Sequence, residues 1–212
     1  MISKRLIVGL VACLGLVLTA CSGSHSKATP TPSTSELNDH SDQTYSGLGL
    51  TPPQPRPQFT LTDQAGKPYD FGTVTKGKPT LLYFGYTHCP DVCPTTLADI
   101  AQALQAVPSS VRQLTQVVFV TTDVKRDTPA VLKAYLSQFD AGLPNAFVGL
   151  SGTQAQVDTA QVAAHVTLAE DDGQTHSAQV LLYGSDDYAR VSFLESTDEA
   201  GQITHDLPLI AG

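Results

Sequence analysis

The chain has 212 residues, 41% of them apolar, and its 12 Lys and Arg stand against 20 Asp and Glu for a formal charge of −8. That is enough chain to bury one ordinary core. With an acidic balance and no Lys/Arg cluster, nothing in it neutralises a phosphate backbone, which argues against a nucleic-acid partner.

Lys4 and Arg5 precede an apolar run, Leu6 to Leu18, that is too short for a comfortable membrane span; this is the pattern of an export signal over residues 1–20. The run ends in Leu18-Thr19-Ala20-Cys21, which resembles the lipobox of bacterial lipoprotein signals. In those signals cleavage precedes the cysteine and the cysteine is lipidated, so Cys21 is expected to be the anchor, while Cys13 leaves with the signal. The alternative is an ordinary signal cut after Ala20, with Cys21 left as a free thiol. Stable attachment by lipid takes more than one acyl chain.

Residues 21–57 are rich in Ser, Thr, Pro, Gly and Asp and poor in apolar side chains, a composition that does not bury enough surface to offset its ordering entropy. They read as a tether, stiffened at its end by Thr51-Pro52-Pro53-Gln54-Pro55-Arg56-Pro57. His25 and His40 fall within it and read as solvated linker residues. Residues 58–212 then form one domain.

Phe59 to Thr62 alternates like a strand, Asp63 to Gly66 supplies turn residues, and Pro68 to Phe71 answers it, predicting an entry hairpin. Lys76 to Pro79 turns the chain into a buried strand, Thr80–Tyr86. Two cysteines, Cys89 and Cys93, follow at the junction with a helix that begins near Pro94 and ends at Pro108, with Leu97, Ile100, Ala101, Leu104 and Val107 as its apolar stripe. A helix that has already started at Cys89 stacks both sulfurs on one face; one that starts at Pro94 leaves both in the capping loop. In either case the unpaired N–H groups and the dipole of a helix N-terminus favour the thiolate, the form that attacks disulfides and ligates metals. The structural alternative is a simple disulfide in an oxidising compartment, although so short a loop makes a poor staple.

Gln116 to Thr122 reads as a second strand, and strand, helix, strand in that order implies a right-handed crossover and a parallel pair. Pro129 opens another helix with Val131, Leu132, Tyr135, Leu136 and Phe139 inward, and Asp127 is placed to cap it. Ala146–Leu150 reads as a short strand and Thr153 to His165 as a helix capped by Ser151 or Thr153. Asp171 to Gly173 is a turn, and Ala178–Tyr183 and Arg190–Glu195 form a hairpin on the edge of the sheet. The tail after Ser196 carries little signal.

An α/β domain with two cysteines after its first long strand resembles the thioredoxin superfamily, but the spacing here is C-x-x-x-C, one residue longer than the usual redox motif. The run from Phe84 to Pro94, FGYTHCPDVCP, resembles the Sco/SenC family of copper-binding assembly factors for cytochrome c oxidase, which carry a CPxxC motif at this place in a thioredoxin-like fold. The likeness extends to Asp123 to Pro129, similar to the family's DxxxD pattern although Val124 stands where the family often has proline, and to a later His176-Ser177 before a strand. The fold implied is a central mixed sheet flanked by helices, with the entry hairpin and the late edge hairpin attached.

The resemblance implies that copper is held by Cys89, Cys93 and His176. Two thiolates and an imidazole are a soft, low-coordinate set suited to Cu(I), and the set takes Cu(II) with a further ligand. Zinc at a Cys2His site with water is the inorganic competitor. His88, beside Cys89, is expected to point the opposite way; His165 reads as a helix-end or core residue, and His205 sits in the uninformative tail. Asp123 and Asp127 are candidates to orient His176 from outside the ligand set or to mark a docking surface, and Asp91 to set charge for docking.

The function implied is a copper chaperone held by lipid on the outer face of the bacterial cytoplasmic membrane, delivering copper to the copper A site in subunit II of cytochrome c oxidase and meeting other copper donors or thiol–disulfide partner proteins. A second reading makes it a thiol–disulfide reductase of those oxidase cysteines, with Cys89 attacking and Cys93 resolving. A peroxiredoxin-type peroxidase is a third and weaker reading.

Overall fold

The computed structural model describes residues 44–212, which lie within one unit of the chain, Ser41–Gly212. The expected export signal over 1–20, Cys13, the expected lipidation residue Cys21, and His25 and His40 of the expected tether lie outside the described residues. No described helix is long and apolar enough to cross a membrane.

Every residue of β4 (Thr80–Gly85) is buried, because the strand lies mid-sheet with helices over both faces. That is why its sequence reads as an unbroken apolar run. It pairs in parallel with β5 (Gln116–Thr121), which pairs in parallel with β6 (Val148–Ser151), while β7 (Val180–Tyr183) joins its other side antiparallel. The connection from β4 to β5 contains α2 (Val92–Ala106) and α3 (Ser109–Leu114); α4 (Pro129–Leu136) links β5 to β6. The period of two along β4 divides the core. Leu81 and Tyr83 pack with Leu97, Ile100 and Leu104 of α2, Leu132 of α4 and Leu207 of α6 (Glu199–Ala211). Leu82 and Phe84 pack with Phe59, with Phe71 of α1 (Phe71–Val74), and with Val157 and Ala160 of α5 (Gln154–Ala163). Helix α5 starts in a reciprocal capping box between Thr153 and Gln156, which settles the cap on Thr153.

The entry hairpin forms as expected from β2 (Thr60–Asp63) and β3 (Pro68–Asp70), and docks antiparallel on β6. With the remaining strands β1 (Leu48–Pro55) and β8 (Tyr188–Phe193), the eight-stranded order is β1-β8-β7-β4-β5-β6-β2-β3, a mixed sheet flanked by helices. The fold class is the one expected.

Two expectations are corrected, and a stretch that carried little signal proves to be ordered. The segment 21–57 is not tether throughout: residues 48–55 form β1, antiparallel to β8. Prolines are tolerated there because β1 is an edge strand. The late hairpin therefore does not lie on the edge, since β1 covers it. The tail after Ser196 is a 13-residue helix, α6, whose Ala200, Ile203, Leu207 and Ile210 are buried while Glu199 and Asp206 interrupt the apolar stripe.

Those interruptions have uses. Asp206 accepts from the backbone N–H of Ser46 (2.7 Å) and Gly47 (2.8 Å), fastening the lead-in to β1. At the other end of β1, Arg56 is buried, pairs with Asp187 at 2.7 Å, and donates to the Thr75 hydroxyl and to the carbonyls of Lys78 and Gly184, each at 2.9 Å. Its guanidinium lies over the rings of Phe71 and Tyr183, 5.9 and 5.1 Å from their centroids. Arg56→Ala orphans those acceptors, so the denaturation midpoint should fall by an equivalent of about 2–4 kcal/mol; an unchanged midpoint would count against β1 being part of the folded body.

Glu199 is 1% exposed against α2, and burial, reinforced by the charge of Asp99, pushes its carboxyl up to about 7. The folded chain thus holds this proton more tightly than the unfolded chain, whose carboxyl titrates near its ordinary value of 4.5. Its contribution to stability is full below that value and lost as pH rises towards 7. Urea midpoints taken between pH 4.5 and 8 should show this decline, and Glu199→Gln should flatten it.

Candidate metal centre

The site lies at the carboxyl ends of the central strands, where the chain leaves β4 and enters α2. Gly85 closes the strand, and a Cβ there would sit 2.8 Å from the sulfur of Cys93, so only glycine leaves room for the thiol. Cys93 is the second residue of α2 and fully buried; Cys89 precedes the helix in the loop and is half-buried. The sulfurs are thus divided between loop and helix. Cys89 Sγ accepts the N–H of Cys93 at 3.4 Å, which puts a sulfur in the place of a capping oxygen.

This division separates the two thiols chemically. Burial works against the Cys89 thiolate, but hydrogen bonds from the N–H groups of Cys93 and Asp91 and contacts with Cys93 and Tyr86 outweigh it and hold the thiol below its ordinary range. Burial pushes the Cys93 thiol up to about 12, with the Tyr83 hydroxyl only partly offsetting it.

His176 arrives from 83 residues further on, and its Nε2 lies 3.4 Å from Cys93 Sγ. Its Nδ1 is 2.9 Å from the Ser177 carbonyl. A carbonyl only accepts, so Nδ1 carries the proton and Nε2 presents its lone pair to the sulfurs. Burial lowers the imidazole from its ordinary value, opposed by that carbonyl bond, and so favours the neutral ring that a metal requires. The ring is flanked edge-on by Tyr83 and Tyr86, with centroids at 6.2 and 5.5 Å. Cys89 Sγ, Cys93 Sγ and one His176 nitrogen all lie within 4.8 Å of one another. Cys89 and His176 border a cleft of about 330 Å³ lined also by Tyr86, Pro90, Asp91 and Val92 among others, while Cys93 lies buried behind it. Two soft thiols and a neutral imidazole, closed behind and open in front, form a three-donor set with one free edge.

The loop that carries His176 rests on the end of β5. Thr122 Oγ1 donates to the Gly173 carbonyl at 2.6 Å, and Glu170 and Thr175 pair across the loop. Gly173 has φ +89°, and a Cβ on it would collide with the Thr122 carbonyl oxygen. Nothing in the sequence marks Thr122 and Gly173 as site residues: a threonine after a strand and a glycine in a turn carry no local signal of contact with each other.

The other candidates sit elsewhere. His88 points away from the sulfurs, as expected, with Nδ1 3.0 Å from the Thr87 hydroxyl and 3.4 Å from Asp127. Asp127 does not cap α4, whose cap is Thr128; it is buried and accepts from Thr87 N–H (2.9 Å), Thr87 Oγ1 (2.6 Å) and Thr121 Oγ1 (2.6 Å). It pins the loop before the cysteines to β5. Asp123 is buried and holds Arg126, whose guanidinium lies 5.9 Å from the Tyr86 ring centroid. Neither aspartate hydrogen-bonds His176, so orientation of the ring falls to Ser177. Asp91 is exposed at the start of α2, His165 is exposed at the end of α5, and His205 pairs with Asp206 on α6.

The family model described as SCO1/SenC matches residues 50–211. A protein of Stutzerimonas stutzeri is 38% identical over 136 residues, 61% of this chain and 64% of its own length. Protein SCO2, mitochondrial, of Saccharomyces cerevisiae is 38% identical over 122 residues, 58% of this chain and 37% of its own length. The matches therefore span less than two thirds of these relatives. Among solved structures, Bradyrhizobium japonicum ScoI with copper bound is 35% identical with a TM-score of 0.59, covering 77% of this chain and 99% of that one.

The unlike environments of the two thiols make a direct prediction. Under limiting iodoacetamide at neutral pH, Cys89 should be alkylated faster than Cys93 by on the order of tenfold or more; peptide mapping that finds equal rates would sink the asymmetry.

Proposed function

The chain belongs to the SCO1/SenC family, and on that premise we propose that it is a copper chaperone in cytochrome c oxidase assembly, taking up copper through Cys89, Cys93 and His176. The observation that carries this reading is the convergence of two thiols and a neutral imidazole within 4.8 Å on a half-open cleft. Support comes from a relative of the same fold, the Bradyrhizobium ScoI, solved with copper bound.

Each part of the site has a task in capture and release. Cys89, the more acidic thiol and the one bordering the cleft, meets the incoming ion first. Cys93 and His176 close on it from behind, and the proton leaves the Cys93 sulfur as metal replaces it. The free edge lets an acceptor's donors begin to bind before this chain lets go, so transfer proceeds by exchange of ligands. The acceptor proposed is the copper A site of subunit II, a site of thiolates and imidazoles. The placement proposed is the outer face of the bacterial cytoplasmic membrane, held by lipid on Cys21 with a tether that ends before β1.

The split between the thiols also favours a second reading, in which Cys89 attacks a disulfide in the oxidase copper site and Cys93 resolves the mixed disulfide. The two are separable. His176→Ala should lower copper affinity by roughly 10- to 100-fold and impair oxidase assembly in cells, while its dithiol reduces a model disulfide at the wild-type rate. Oxidase assembly unimpaired by this substitution despite lost copper would overturn the chaperone reading in favour of the reductase, and copper retained on the same sulfur and nitrogen ligands would remove His176 from the ligand set.

A further inference from the structure

Tyr83 is fully buried on β4, directly behind the site, and its hydroxyl lies 3.3 Å from Cys93 Sγ. From the site side, the same sulfur faces His176 Nε2 at 3.4 Å. Phenol, sulfur and imidazole thus form a row through the back wall of the cleft. With Nδ1 protonated, Nε2 only accepts, so in the metal-free chain the thiol proton points to Nε2 and the sulfur accepts the phenolic proton. Once metal takes the thiol proton's place, the phenol O–H is the only proton left in the contact and must donate to the bound thiolate.

Resting on the copper reading above, we infer that Tyr83 is a positioning residue that sets which oxidation state of copper the site prefers. A hydrogen bond into a metal-bound thiolate withdraws electron density from sulfur. Cu(II) depends more on that donation than the softer Cu(I), so the phenol disfavours Cu(II) relative to Cu(I). Burial makes this lasting: no water replaces a donor lost behind the cleft. Tyr86 stands in a comparable relation to Cys89 but lines the open side, where solvent substitutes for it. The Tyr83 ring is held independently of its hydroxyl by edge contacts with Phe119 at 5.8 Å and His176 at 6.2 Å, so removing the oxygen leaves the packing in place.

The test compares the wild-type protein with Tyr83→Phe, each reduced and then loaded with copper. Three quantities are read: the sulfur-to-Cu(II) charge-transfer band, the Cu(II)/Cu(I) midpoint, and the ligand count by X-ray absorption. The expected result is a band moved to lower energy and a lower midpoint, equivalent to a roughly tenfold gain in Cu(II) over Cu(I) affinity, with the same sulfur and nitrogen ligands. 3-Fluorotyrosine at position 83, a stronger donor of nearly the same shape, should move band and midpoint in the opposite direction. A band and midpoint unmoved by both changes, with wild type holding copper normally, would overturn the role of Tyr83 alone. A wild-type domain that binds no copper would instead bring down the copper reading and this inference with it.

Discussion

The contact on which the site depends is the one between Thr122 and Gly173. Three donor atoms meet only if the loop before β7 lies flat on the carboxyl end of β5, and the hydroxyl-to-carbonyl bond of 2.6 Å is what holds it there. The approach is so close that any side chain at 173 would strike the Thr122 carbonyl, and the left-handed backbone at that residue independently calls for glycine. With the loop seated and Glu170 paired to Thr175, the position of His176, three residues after Gly173, is a consequence of chain geometry. The Ser177 carbonyl then fixes the ring's tautomer.

Under that loop, the two cysteines, four residues apart, are made unlike by the helix start that falls between them. Cys93 belongs to α2 and shares its burial; Cys89 stays outside and collects the N–H groups that the helix start leaves over. The asymmetry suits the proposed capture of a metal, with an accessible first thiol and an enclosed second one, and equally the alternative of an attacking and a resolving thiol. Chaperone and reductase are two uses of one arrangement, and the histidine is what distinguishes them.

The rest of the fold keeps this end of the sheet still while leaving it open. Asp127 ties the cysteine loop to β5 through Thr87 and Thr121. Far from the site, Arg56 and Asp206 clamp the two ends of β1, which covers what would otherwise be an open strand edge beside the hairpin. Ligands in open α/β sheets bind beyond the carboxyl ends of the strands, and the centre here occupies that position.

Much of this was legible in the residues. The unbroken apolar run of β4, the prolines opening α4 and closing α2, and the alternation in β2 are local signals, and local signals survive in a string of letters. The cysteine pair and its place at a helix start were equally plain, and the naming of His176 came from resemblance to a family. What the chain order did not reveal was pairing: that Leu48–Pro55, a proline-rich stretch with the composition of a linker, is a strand because β8 offers it a partner, and that the tail is a helix because α2 offers it a face. In the same way, that Asp123 and Asp127 brace Arg126 and the cysteine loop and leave His176 to a neighbouring carbonyl was decided by which groups are brought within hydrogen-bond reach. Hydrogen bonds and burial depend on distance in space, and tertiary structure alone sets that distance.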